Sequence, residues 1–107
     1  MSEKRRTKRF QKKIEADYTS GGNSGKGFTK DISPGGTYIR SEEALIAGTL
    51  IDITLFLPNG KESRLKGVVR RSDRKNGHDE EGMGIEFLEM DEDFILFMEA
   101  LSSFKKN

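Results

Sequence analysis

Ile51-Asp52-Ile53-Thr54-Leu55-Phe56-Leu57-Pro58-Asn59-Gly60-Lys61 decides the fold class of this 107-residue chain. Ile51, Ile53, Leu55 and Leu57 take every second position, and Asp52, Thr54 and Phe56 fill the gaps. Strand side chains alternate between faces, so a period of two means one buried face and one outer face. Pro58-Asn59-Gly60-Lys61 then supplies turn chemistry, because Asn-Gly tolerates the positive φ of a tight hairpin. A partner strand is expected over residues 63–71.

Outward from this hairpin the same grammar recurs. Towards the N-terminus, Phe10, Ile14, Ala16 and Tyr18 share one parity, and Gln11, Lys13, Glu15 and Asp17 the other. Residues 19–27 hold Gly21, Gly22, Gly25 and Gly27 with Asn23 and two serines, a composition that predicts a flexible turn. A second strand is expected over 27–32, stopped by Ser33-Pro34-Gly35-Gly36 and resumed at Thr37-Tyr38-Ile39. Residues 41–48 make one helical turn or a loop.

Towards the C-terminus, residues 72–82 read as a long charged hairpin loop, followed by a last strand with Met83, Ile85 and Phe87 alternating. Phe94, Phe97, Met98, Leu101 and Phe104 then form one stripe of a helix beginning near Asp91, whose acidic start suits the positive end of the helix dipole. That stripe is expected to cap the barrel. The predicted class is all-β with a terminal helix: a small six- to seven-stranded antiparallel β-barrel plus a C-terminal α-helix. Residues 1–9 are expected to be a flexible basic arm, 10–104 the barrel with its helix, and 105–107 a tail.

Composition narrows the function. Charged residues are 35% and hydrophobic ones 33%, so the core is small, and the net charge of +1 makes any electrostatic role local. Without Cys there is no disulfide framework and no thiol chemistry, and with His78 as the single histidine no polyhistidine metal site can form within one chain. His78 is read as a surface residue. Asp79-Glu80-Glu81 and Asp91-Glu92-Asp93 lack the ladder of a calcium loop and are read as a solvated run and a helix start. No catalytic residue, metal or cofactor is expected, and the chain is not read as an enzyme. The longest apolar run, residues 94–98, is too short to span a bilayer, and the basic N-terminus has no apolar region to make it a secretion signal. The expected location is cytoplasmic.

Two patterns carry chemistry: Arg5-Arg6-Thr7-Lys8-Arg9 in the arm, and Asp31-Ile32-Ser33-Pro34-Gly35-Gly36 at a strand end. Guanidinium groups pair bidentately with phosphate and with guanine O6 and N7, and in an extended arm Arg5 and Arg9 share a face about 13 Å apart. Asp31 can accept from guanine N–H groups, Ser33 can donate and accept, and Gly36 lets backbone amides approach an anion. Cation and carboxylate together match the two edges of guanine.

With Gly67-Val68-Val69-Arg70 and Gly82-Met83-Gly84-Ile85-Glu86-Phe87, these two motifs resemble a PilZ domain over roughly residues 5–101. The resemblance implies a six-stranded barrel with a C-terminal helix, and a bacterial receptor for the second messenger cyclic di-GMP. It further implies that Arg5 and Arg9 contact guanine and phosphate, that Asp31 and Ser33 hold guanine, and that Gly36 shapes the turn. Arg6 and Gly35 fall within the same motifs and join the expected ligand-binding set. The resemblance also implies, from a basic residue just before the arginine pair, here Lys4, two ligand molecules per site. Ligand would order the arm and signal in trans to an effector protein.

Two other readings compete. A PilZ-type adaptor would act only through protein contacts, by its helix or the 72–82 loop, and bind no nucleotide. A barrel with a basic edge and exposed aromatics such as Tyr38 could instead hold a single-stranded nucleic acid, with strong salt dependence and little preference for guanine.

Overall fold

The alternating segments become six strands: β1 (Glu15–Ser20), β2 (Asn23–Ser33), β3 (Gly36–Arg40), β4 (Leu50–Phe56), β5 (Glu62–Asp73) and β6 (Gly82–Glu89). One helix, α1 (Glu92–Lys105), follows. The structure is a computed structural model and describes residues 8–73 and 81–105. All strand pairs are antiparallel, in the order β1-β2-β3-β6-β5-β4, and β4 pairs with β1 to close a barrel. Closure removes the unpaired sheet edges that would otherwise invite aggregation.

Ile51, Ile53, Leu55 and Leu57 all point into the barrel, as the period of two requires. Phe10, Ile14, Ala16 and Tyr18 meet them from the other side of the β1–β4 seam. The Tyr18 hydroxyl, buried with its ring, pairs with the Ser41 hydroxyl and donates to the Glu43 carbonyl at 2.9 Å. These bonds hold the segment after β3 as a loop. In the hairpin that joins β4 to β5, Gly60 alone has positive φ, at 90°. Its N–H donates to the Leu57 carbonyl and Asn59 Oδ1 accepts the Lys61 N–H, both at 2.9 Å.

The glycine-rich stretch departs from its composition. The turn is confined to Gly21 and Gly22, and β2 runs from Asn23 straight through Gly25 and Gly27. A Cβ on Gly25 would come within 2.6 Å of the Tyr18 hydroxyl, and one on Gly27 would collide with the Arg40 carbonyl oxygen. These glycines serve close packing within a strand.

Helix α1 lays Phe94, Met98 and Leu101 onto the barrel, with the Phe94 ring edge-on to Phe87 at 5.0 Å between centroids. Phe97 is half-buried against the same cluster, and the Phe104 side chain lies outside what the structure describes. Ile95 and Leu96 face outward. Among the described residues no helix is long and apolar enough to cross a membrane.

Candidate functional site

Ahead of β1, Phe10 and Ile32 exchange both backbone hydrogen bonds, at 2.8 and 2.9 Å. Both side chains are buried, so their packing pins the N-terminal segment to β2 and leaves the neighbouring Arg9 on the outer surface. There Arg9 Nη2 donates to Asp31 Oδ1 at 2.9 Å, joining residues 22 positions apart. The Arg9 side chain is half exposed and that of Asp31 a quarter, and an ion pair this wet stabilises the fold by under about 1 kcal/mol. An incoming anion or polar base can displace it at little cost.

A bulge in β2 sets what stands beside Asp31. Thr29 pairs with Ile39 and Asp31 with Tyr38, so Lys30 is the unpaired extra residue. An inserted residue shifts the parity of a strand. Asp31 is therefore brought to the outer face next to the exposed Lys30, while Ile32 still reaches the core. The Thr37 hydroxyl fixes the bend by donating to the Asp31 carbonyl at 2.6 Å.

The turn between β2 and β3 spends the Ser33 hydroxyl on itself. Ser33 is buried; its Oγ accepts from the Gly35 and Gly36 amides at 3.3 and 3.2 Å and donates to the Gly36 carbonyl at 3.3 Å. Gly36 faces β6 so closely that any Cβ would collide with the Ile85 carbonyl oxygen, whereas a Cβ on Gly35 would meet nothing within 4 Å. The Gly35 carbonyl accepts the Phe87 N–H at 2.9 Å, tying the turn to β6.

The structure thus brings Arg9, Asp31, Ser33, Gly35 and Gly36 to one end of the β2–β3 pair, with Arg9 and Asp31 in direct contact. Lys4, Arg5, Arg6 and His78 lie outside the described residues. Among the described residues no group of His, Asp or Glu side chains is placed to hold a metal ion.

One cluster on this face is not grouped by the sequence. Tyr38 carries Lys30 Nζ 5.8 Å and the Arg71 guanidinium 5.6 Å from its ring centroid, and its hydroxyl donates to Asp73 at 2.7 Å. Arg71 donates to the same carboxylate from Nε at 3.3 Å and Nη2 at 3.1 Å. Burial, reinforced by that bond to Asp73, pushes the Tyr38 phenol up to about 12. The bulge at Lys30 and the contact of β3 with β6 assemble this group, and period-two alternation predicts neither.

Comparison with known proteins agrees with this architecture. The PilZ domain model matches residues 3–102. None of the curated proteins searched matches the sequence. Among solved structures, the Bacillus subtilis Inhibitor of motility (MotI/DgrA) is similar at a TM-score of 0.76 and 14% identity, over 94% of this chain and 52% of that one. The chain thus spans about half the length of that neighbour. The PilZ domain of YcgR from Escherichia coli, solved with c-di-GMP, is similar at 0.62 and 15% identity, over 98% of this chain and 100% of that one. The PilZ domain of CeSA, from a cellulose-synthesizing bacterium, is similar at 0.56 and 25% identity, over 74% of this chain and 79% of that one. With a closed six-stranded barrel, a C-terminal helix and a family match over nearly its whole length, this chain belongs to the PilZ domain family.

Proposed function

We propose that this chain is a receptor for cyclic di-GMP, a binding module and not an enzyme, that needs no cofactor and signals in trans to an effector protein. The observation that carries the reading is the Arg9–Asp31 contact at 2.9 Å, where the two motifs meet on the outer face of the barrel. A guanine inserted there exchanges one ion pair for two sets of bonds. Its N–H groups turn to the Asp31 carboxylate, and its O6 and N7, or a phosphate, turn to Arg9. The basic segment around Arg5 closes on the ligand from residues 1–9, with Arg6 and Lys4 adding positive charge. Ser33, Gly35 and Gly36 hold the turn that presents Asp31. Lys4 supports two ligand molecules in the site, and the solved YcgR domain with c-di-GMP supports the ligand's identity.

Ordering a segment costs about 1–2 kcal/mol of backbone entropy per residue, which limits affinity to about micromolar or somewhat tighter. Titration calorimetry of cyclic di-GMP into the chain, with GTP and a short single-stranded oligonucleotide as controls, tests the reading. Saturable binding of cyclic di-GMP alone is expected, near one or two molecules per chain. Arg9→Ala should weaken it roughly 5- to 150-fold, since a lost bidentate arginine–guanine pair costs about 1–3 kcal/mol. Silence towards cyclic di-GMP overturns the reading. Silence would then leave the oligonucleotide to decide between a nucleic-acid-binding barrel and the ligand-free adaptor.

A further inference from the structure

Tyr38 stands where β3, β6 and β5 run side by side, and each neighbouring strand contributes something to its position. Tyr38 pairs with Gly84 on β6, and Arg71 of β5 pairs with Gly84 from the other side. Gly82, one outward position away, has no side chain in the path of the ring: a Cβ there would come within 2.6 Å of Tyr38 Cε2. The ring therefore lies along bare β6 backbone. At its far end the hydroxyl is tethered to Asp73, and Lys30 and Arg71 stand over the ring from β2 and β5.

A half-buried aromatic ring immobilised at one end, and facing two cations, has the composition of a nucleotide platform. An aromatic ring accepts a base by stacking, and the cations accept the phosphates attached to it. Tyr38 points away from the core, and Arg71 is mostly exposed. Since Asp31 is the cross-strand partner of Tyr38, the platform adjoins the Arg9–Asp31 contact on the same barrel face.

We infer that Tyr38, flanked by Lys30 and Arg71, is a second base subsite, which stacks the guanine of a cyclic dinucleotide that Asp31 does not hold. The inference rests on the receptor reading and extends it from one edge of the barrel across β3 and β6. Lys30 and Arg71 take the phosphate charge at the platform. Asp73 orients the ring and stays bonded to Tyr38 throughout.

The chain has two tyrosines and no tryptophan, and Tyr18 is sealed in the core, so tyrosine emission reports ligand stacking on Tyr38. Titrating cyclic di-GMP should quench this emission with the midpoint seen by calorimetry. Tyr38→Leu should weaken binding roughly 5- to 150-fold, the range for a lost base–aromatic stack. Tyr38→Phe keeps the ring but frees it from Asp73, and should fall between the two. Arg71→Glu, which breaks only a mostly exposed ion pair, should weaken binding several-fold with a small change in thermal unfolding, and so keeps the test open if Tyr38→Leu does not fold. Cyclic di-GMP binding that leaves the emission unchanged, or that Tyr38→Leu and Arg71→Glu leave within twofold, overturns the platform while the receptor reading stands. Failure of the unaltered chain to bind cyclic di-GMP overturns both. Quenching by the single-stranded oligonucleotide in place of the dinucleotide transfers the ring to a nucleic-acid surface and likewise overturns the proposal.

Discussion

Gly35 and Gly36 stand side by side in one turn and answer to different demands. At Gly36 the Ile85 carbonyl oxygen occupies the space a Cβ would need, so β3 and β6 can approach only over a bare α-carbon. At Gly35 that space is open, and φ is not positive. Gly36→Ala should therefore destabilise the barrel by about 1–3 kcal/mol, the usual cost of overpacking a tight contact. For a domain of this size that lowers the unfolding midpoint by roughly 4–8 °C per kcal/mol. Gly35→Ala should stay within about 0.5 kcal/mol. Thermal unfolding of the two variants decides, and equal losses would show that the strand approach is not what Gly36 serves. The motif was legible in the sequence as a spacing, but this division of labour was not, because it depends on a carbonyl from a strand some fifty residues further on. Ser33 repeats the lesson. As a residue type it can donate and accept towards a ligand, yet its hydroxyl is buried among the amides of its own turn.

Asp91 joins two elements. Its Oδ1 accepts the Phe94 N–H at 3.0 Å, capping α1, and the Ser63 hydroxyl at 2.7 Å, while Oδ2 accepts the Arg64 N–H of β5 at 2.7 Å. Burial pushes the carboxyl up, but the hydrogen bonds from Arg64, Ser63 and Phe94 outweigh it and hold Asp91 below the ordinary carboxylate range. A carboxyl that is more acidic folded than unfolded contributes stability that is fully present above its unfolded pKa, about 3.9, and is lost as pH falls through the folded value. Asp91→Ala should cost about 1 kcal/mol at neutral pH through the lost cap, and less in strong acid where the parent has lost the same bonds. Urea unfolding of both proteins at about pH 7 and pH 3 measures this; an unchanged difference would remove Asp91 from the acid dependence. The helix start was readable from the acids at 91–93, and the β4–β5 hairpin from strict alternation. Strand β2 was readable only in part. Its glycines look like a loop until Tyr18 and Arg40 are seen against them, and its bulge at Lys30 interrupts the parity on which strand reading depends.

Across the whole molecule, the net charge of +1 conceals a division. Lys4, Arg5, Arg6, Lys8, Arg9, Lys12 and Lys13 crowd the start of the chain against Glu3 alone. Residues 82–104 carry Glu86, Glu89, Asp91, Glu92, Asp93 and Glu99 with no Lys or Arg. Among the described residues these populations lie on different elements: Arg9 stands beside β2 at the site, and the acidic stretch runs from β6 into α1. A long polyanion laid over such a surface meets repulsion as soon as it leaves the basic region, whereas a small dianion fits within it. The salt dependence of binding follows from that difference in reach. Each neutralised phosphate contributes a slope of about −0.7 to −0.9 in log K against log salt. A cyclic dinucleotide has two phosphates and no condensed counterion atmosphere, so its binding should weaken by no more than about 12-fold when salt rises from about 50 to 200 mM. A strand held through six or more phosphates would lose roughly a thousandfold over the same range. Calorimetry at the two salt concentrations separates these cases, and a loss beyond about a hundredfold for cyclic di-GMP would show that more of the surface takes part than the Arg9–Asp31 and Tyr38 regions supply.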